Sequence, residues 1–186
     1  MIEIRIHGRG GQGAVVASKV MASAFFKEGK WVQAFPSFGA ERRGAPVAAY
    51  TRVDDQEITL RSSVRTPSHL IILDQNLARN PEIAQGLKEG GWIVINSEKG
   101  PKDFPFSPAF RVATVDASGI AIQHGLGSKS SPIVSTVILG AFAKATGLVK
   151  ISDVLEAIRE NVPAHIDRNV AGAREAYRRV KIERSL

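Results

Sequence analysis

Ile2-Glu3-Ile4-Arg5-Ile6-His7-Gly8-Arg9-Gly10-Gly11-Gln12-Gly13-Ala14-Val15-Val16-Ala17-Ser18-Lys19-Val20-Met21 reads as a strand, a glycine turn and a helix. Ile2, Ile4 and Ile6 alternate with polar residues, the period of a strand with one buried face. Val15, Val16, Val20, Met21, Ala24 and Phe25 then mark one stripe of a helix over about 12–28. Between them, Gly8, Gly10 and Gly13 fit the spacing G-x-G-x-x-G. Such a turn leaves backbone N–H groups uncovered at a helix N-terminus, where the helix dipole favours an anion. Gly8, Gly10, Gly11 and Gly13 are therefore candidates for close backbone approach to a phosphate. Arg9 is a candidate bidentate partner and Gln12 a candidate hydrogen-bonding side chain. The alternative is a tight strand-to-helix turn with no ligand.

A nicotinamide-binding unit needs Asp or Glu at the end of its second strand, to hold the ribose hydroxyls. Here the second strand reads Trp31-Val32-Gln33-Ala34-Phe35 and runs into Pro36-Ser37-Phe38-Gly39. Glu28 precedes that strand and stands at its wrong end. Ser37, Arg42 and Arg43 leave room for a phosphate reader instead, so an NADP-type enzyme is one rival reading.

The 186 residues suit one domain, 1–186, with a substantial core. Hydrophobic residues make up 44% and charged ones 23%, an ordinary globular balance. The N-terminus enters a strand directly, which predicts no secretory leader. The longest apolar stretch, 133–148, contains Ser135, Thr136, Lys144 and Thr146 and reads as a core helix rather than a membrane span. These features predict a cytoplasmic chain without a membrane partner. With no cysteine, the chain has no thiolate for zinc or an iron–sulfur cluster. His7, His69, His124 and His165 show no metal-ligand spacing. The net charge is +7, scattered apart from Arg174, Arg178, Arg179, Lys181 and Arg184. That patch reads as a solvated basic face of a terminal helix, not a nucleic-acid site.

Further elements follow the same logic. Val47–Val53 and Glu57–Leu60 flank Asp54-Asp55-Gln56 and predict a β-hairpin near 47–60 that protrudes from the sheet. Strands are expected at 69–74, 92–96 and 110–115, with Asp74 and Asp116 at C-terminal ends, where α/β sites occur and next helices are capped. Helices are expected at 80–88, from Ser131-Pro132, from Ser152, and over 163–182. Ser128, Lys129, Ser130 and Ser131 form a second polar cluster, an anion site or an ordinary cap. The alternation predicts a three-layer α/β/α fold with a mostly parallel, Rossmann-like sheet.

Three segments carry a resemblance: Ile6–Gly13, Ala34-Phe35-Pro36-Ser37-Phe38-Gly39-Ala40-Glu41-Arg42-Arg43-Gly44-Ala45-Pro46-Val47, and Gly127-Ser128-Lys129-Ser130-Ser131-Pro132. Over nearly its full length the chain resembles the gamma subunits of 2-oxoacid:ferredoxin oxidoreductases, most closely the pyruvate type. The resemblance implies an assembly that oxidatively decarboxylates a 2-oxoacid with coenzyme A and reduces ferredoxin or flavodoxin. It implies thiamine diphosphate with magnesium on alpha and beta subunits, and 4Fe-4S clusters on beta and a ferredoxin-like delta subunit. This chain then holds no cofactor alone, beyond a share of a coenzyme A site. Gly8 through Gly13, Ser37, Arg42 and Arg43 are the candidates for that site. Phe38, Gly39, Glu41, Gly44 and Pro46 are candidates for the partner interface. No catalytic residue is assigned here, an isolated chain is expected to be inactive and to form a homodimer, and a pure assembly scaffold without ligand is the other rival.

Overall fold

A computed structural model describes residues 1–37 and 45–182. Strands β1 (Ile2–Arg9), β2 (Trp31–Pro36), β3 (Pro46–Asp54), β4 (His69–Ile72), β5 (Trp92–Asn96), β6 (Arg111–Val115) and β9 (Lys181–Ile182) form one sheet in the order β2-β3-β1-β4-β5-β6-β9. The short strands β7 (Gly127–Ser128) and β8 (Ser131–Pro132) pair apart from it. β1, β4, β5 and β6 are mutually parallel, and β3 runs antiparallel to both β1 and β2. Five of the seven strands thus run one way, against β3 and β9. The α/β class and the mostly parallel sheet are as expected. The strand order departs from a Rossmann unit, because β3 lies where β2 would sit beside β1.

The α-helices are α1 (Ala14–Lys27), α2 (Ala117–Gln123), α3 (Val137–Thr146), α4 (Ile151–Asn161) and α5 (Ile166–Arg179). All five pack over the face carrying Ile4, Ile6, Ile71, Val94 and Ala113. α1 stops in a Schellman arrangement: Gly29, at φ 79°, donates to the Phe26 carbonyl and Lys30 to that of Phe25. Buried along almost its whole length, α3 crosses α5 so closely that a Cβ on Gly140 would lie 1.8 Å from the Ala173 carbonyl.

The other face corrects the expected third helical layer. Leu70, Ile72, Ile93, Ile95 and Val112 are covered there by Ala78, Ala84 and Leu87, with Phe104, Phe106 and Phe110 packed alongside. The predicted helix at 80–88 is a 3₁₀ turn, Pro81–Ala84, preceded by another at Leu77–Arg79. Pro81 and the glycines at 86, 90 and 91 leave too short a run for an α-helix. Other helix starts also shift. Ser131-Pro132 lies in β8, Ser152 lies inside a helix whose N-cap is Lys150, and the last helix ends at Arg179 before β9.

The predicted hairpin near 47–60 is corrected too. β3 pairs with β1 and β2 inside the sheet, while 57–60 forms no ladder. Side chains meet its carbonyls instead. Gln33 Nε2 donates to Ile58 O at 3.0 Å, and Arg52 donates to Leu60 O at 3.3 Å and Ser62 O at 2.6 Å. Arg52 is fully buried, bonds Glu3 Oε1 through Nε at 2.9 Å, and lies 5.0 Å from the Phe35 ring centroid. Register explains the pairing, since Glu3, Arg52 and Gln33 sit opposite one another on adjacent strands of one face.

Removing one partner strands a buried charge and releases two loop carbonyls. Arg52→Ala is therefore expected to lower unfolding free energy by about 3 kcal/mol or more. Glu3→Leu combined with Arg52→Met is expected to cost clearly less. Urea melts of the three proteins check this, and an Arg52→Ala loss under about 1 kcal/mol would contradict the role given to the pair.

Candidate functional site

β1 and β2 point the same way, so their C-terminal ends, the glycine turn and Ser37, leave the same sheet edge. Arg9 sits opposite Pro46 in the β1–β3 register, and Gly10 N–H donates to Ala45 O at 2.9 Å. Ser37 N–H donates to Ala48 O at 2.8 Å. The structure thus gathers Gly8–Gly13, Ser37 and Pro46. Phe38, Gly39, Glu41, Arg42, Arg43 and Gly44 lie outside the described residues.

The turn is closed by its own atoms. Gln12 N–H donates to Arg9 O at 3.0 Å, while Gln12 Oε1 accepts from Arg9 N–H at 2.7 Å. Gln12 therefore holds the turn shut and does not cap α1. Arg9 Nε donates to Asp74 Oδ2 at 2.7 Å, tying the turn to the chain just after β4. That carboxylate already holds the guanidinium, so the geometry makes Arg9 a strut of the turn. Asp74 also accepts from Asn76 N–H at 2.9 Å, and Asp116 caps α2 by accepting from Gly119 N–H at 2.7 Å.

α1 begins without help. Its N-cap Gly13 is left-handed, at φ 82° and ψ 30°, and no side chain caps the helix. Its first turn holds no acidic residue. Among the described residues no acceptor meets the N–H groups of Gly13, Ala14, Val15 or Val16. Unsatisfied donors of this kind carry the positive end of the helix dipole.

Ser135 is a residue the sequence reading passed over. A Cβ on Gly13 would stand 2.9 Å from both its Cβ and its Oγ. Ser135 and Thr136 are buried just before α3, so the start of that helix packs against the glycine turn. The polar pair ahead of an apolar run was the available signal. The Ser128–Ser131 cluster lies elsewhere, in the exposed β7–β8 turn, where Ser131 N–H donates to Ser128 Oγ at 3.1 Å.

The histidines have local roles. His7 follows Arg5 on the face opposite the helices, with no partner for Nε2. Burial, and then the Arg5 charge, push its pKa down to about 3. His69 Nδ1 accepts from Trp92 N–H at 3.1 Å, and burial with Lys88 and Arg111 nearby lowers its pKa to about 4. His124 Nε2 meets Glu175 Oε2 at 2.7 Å. Among the described residues no three His, Asp or Glu side chains are grouped to hold a metal, and no helix is long and apolar enough to cross a membrane.

Residues 3–179, which include the glycine turn and the uncapped helix, match the family model described as pyruvate ferredoxin/flavodoxin oxidoreductase. The chain belongs to the pyruvate ferredoxin/flavodoxin oxidoreductase family. It is 48% identical over 188 aligned positions to the pyruvate/ketoisovalerate oxidoreductases common subunit gamma of Thermococcus kodakarensis, covering 98% of each chain. It is 47% identical over 182 positions to the pyruvate synthase subunit PorC of Methanothermobacter marburgensis, covering 97% of this chain and 98% of that one. The crystal structure of pyruvate oxidoreductase subunit PORC from Thermotoga maritima superposes with a TM-score of 0.82 at 35% identity, over 98% of both chains. The same fold, at 19% identity and TM-score 0.68, forms 30% of a 2-oxoglutarate:ferredoxin oxidoreductase chain of Magnetococcus marinus and covers 95% of this one. As a gamma subunit of a pyruvate or 2-oxoacid ferredoxin oxidoreductase, the chain is one part of a multi-subunit oxidoreductase.

Two outcomes follow for this gamma subunit. Gly13→Ala adds a Cβ at positive φ against Ser135 and is expected to cost about 2 kcal/mol, read from urea melts. An unchanged midpoint would show that the turn tolerates a side chain there. Lowering the pH from 7 to 5 protonates histidine in the unfolded chain, near 6.5, but not His7 or His69 in the folded one. The unfolded state then holds more protons, so stability falls with pH, by roughly 2 kcal/mol per histidine at pH 5. His7→Gln is expected to remove about half of the two-histidine share of that fall, and an identical pH dependence in the variant would contradict it.

Proposed function

We propose that the chain acts as one domain, residues 1–186, in a pyruvate-type oxidoreductase and helps form its coenzyme A site at the C-terminal edge of the sheet. The uncapped, acid-free start of α1 behind the glycine turn carries this reading. Coenzyme A bears a pyrophosphate, and four N–H groups on a helix end that meet no acceptor among the described residues suit such an anion. Gly8, Gly10, Gly11 and Gly13 are the proposed points of close backbone approach; Gly11 faces open space, while a Cβ on Gly8 or Gly13 would press on Leu73 or Ser135. Gln12 and Arg9 hold the turn in shape, and Ser37 lies at the same edge. Arg42 and Arg43 follow in sequence and are candidates for the ribose phosphate.

In this reading the chain orients coenzyme A and keeps water from the reacting centre, with no step of electron transfer on its own residues. Thiamine diphosphate, magnesium and 4Fe-4S clusters are assigned to alpha, beta and delta partners. The lack of any cysteine supports that division, since cluster ligation by thiolate cannot come from this sequence. Ferredoxin or flavodoxin is the proposed electron acceptor of the assembly, and the cytoplasm its proposed location.

Val16 offers a clean test, because it lies 41% exposed in the first turn of α1. A carboxylate there favours the helix dipole but repels a pyrophosphate. Val16→Glu in the purified complex is expected to raise KM for coenzyme A about fivefold, with KM for pyruvate and the thermal midpoint unchanged. An unchanged KM for coenzyme A would overturn the site. Loss of assembly with a normally folded variant would favour the scaffold reading.

A further inference from the structure

The groove between α4 and α5 on the outer side of the helical layer is built from two ladders of side chains. Ile151, Leu155 and Arg159 descend α4 at four-residue spacing, and Arg174, Tyr177 and Arg178 face them from α5. The groove encloses about 680 Å³, with Ile151, Leu155 and Tyr177 as apolar floor. Lys144 Nζ lies 5.2 Å from the Tyr177 ring centroid.

The charges around this floor are unbalanced. The basic cluster read in the sequence as a solvated face divides in the fold. Arg179 is held by Glu175 at 2.7 Å, and Lys181 donates to Glu98 O at 2.9 Å. Arg174 and Arg178 are joined at the groove by Arg159, from a different helix. Among the described residues these three exposed arginines make no ion pair and no side-chain hydrogen bond. Glu156, the acidic residue of the groove lining, is already answered by Lys27 at 3.3 Å. Three guanidinium groups therefore surround an apolar trough with no neutralising carboxylate of their own among the described residues.

We propose that this groove is a docking seat for an acidic amphipathic helix of a partner subunit in the oxidoreductase, an inference that rests on the chain's working as one subunit of that assembly. A cleft between two packed helices accepts the ridge of a third. Apolar side chains of the incoming helix rest on Ile151, Leu155 and Tyr177. Its Asp and Glu residues meet Arg159, Arg174 and Arg178, which supplies register and salt-dependent steering. The seat lies on the outer side of the helical layer, whereas the coenzyme A proposal concerns the sheet edge, so the two are separable by mutation.

The test is equilibrium binding of the gamma chain to the complex of the remaining subunits, across a range of salt concentrations. For the wild-type chain, affinity is expected to fall as salt rises. Arg174→Glu with Arg178→Glu is expected to weaken binding about tenfold or more at low salt and to flatten the salt dependence, with the thermal midpoint of the isolated chain unchanged. Arg174→Lys with Arg178→Lys is expected to bind within about threefold of wild type, because the charge is kept. Wild-type binding with an unaffected charge-reversed variant overturns the seat and leaves the subunit reading intact. Normal assembly of the charge-reversed variant with a raised KM for coenzyme A also overturns it, making the groove a small-anion site. Failure of the wild-type chain to bind the other subunits overturns both readings.

Discussion

Arg52 is a charged side chain with no route to water, and its requirements organise half of the sheet. Its guanidinium bonds Glu3 on β1, rests near Phe35 on β2, and reaches the carbonyls of Leu60 and Ser62. A buried cation is tolerable only when a counter-charge and hydrogen-bond acceptors are placed around it. Meeting that condition joins three strands and folds the segment after β3 back across them. β3 is thereby an interior strand, wedged between β1 and β2, and the β1–α1–β2 crossover spans it. The second face of the sheet is divided as a result. Over β4–β6 it is apolar and covered by 3₁₀ turns and phenylalanines. Over β1–β3 it is polar and closed by hydrogen bonds to a loop.

The same arrangement sets the edge that carries the glycine turn. With β3 in place, the ends of β1 and β2 and the start of β3 converge, so Gly10 is bonded to Ala45 and Ser37 to Ala48. The glycine turn is braced from within by Gln12, sideways by the Arg9–Asp74 pair, and from beneath by Ser135. What this rigid support leaves open is the start of α1. In the proposed coenzyme A reading, a preorganised set of backbone donors costs little further ordering when an anion arrives. Membership of a multi-subunit oxidoreductase gives that edge a context. The outer side of the helical layer, where three arginines meet no carboxylate among the described residues, is a distinct surface.

The sequence read best where one local rule was enough. Alternation of Ile2, Ile4 and Ile6, the glycines that follow, and the apolar runs at 70–72 and 92–95 each point to a single structure. The family resemblance was legible in motifs for the same reason, as glycine and arginine spacings survive without knowledge of contacts. It failed at Glu57-Ile58-Thr59-Leu60, whose alternation is that of a strand. The carbonyls there are met by Arg52 and Gln33, and no local pattern reports a donor from another strand. It failed again at 80–88 and at Ser131-Pro132, where a proline and neighbouring polar residues suggested a helix start that packing did not extend.

The basic cluster near the C-terminus shows the division most clearly. Sequence alone determined that the chain is an α/β protein with a glycine-turn entry, no cysteine and an excess of positive charge. These are properties of composition and of spacings within one or two turns of chain. Tertiary structure alone decided that β3 enters the sheet, that Arg52 is buried against Glu3, and that Ser135 closes on Gly13. It also decided that Arg159 joins Arg174 and Arg178 while Arg179 and Lys181 are held elsewhere. Each of these depends on residues far apart in the chain meeting in a dry or crowded space. Electrostatic and steric terms large enough to choose a partner arise only once that space exists.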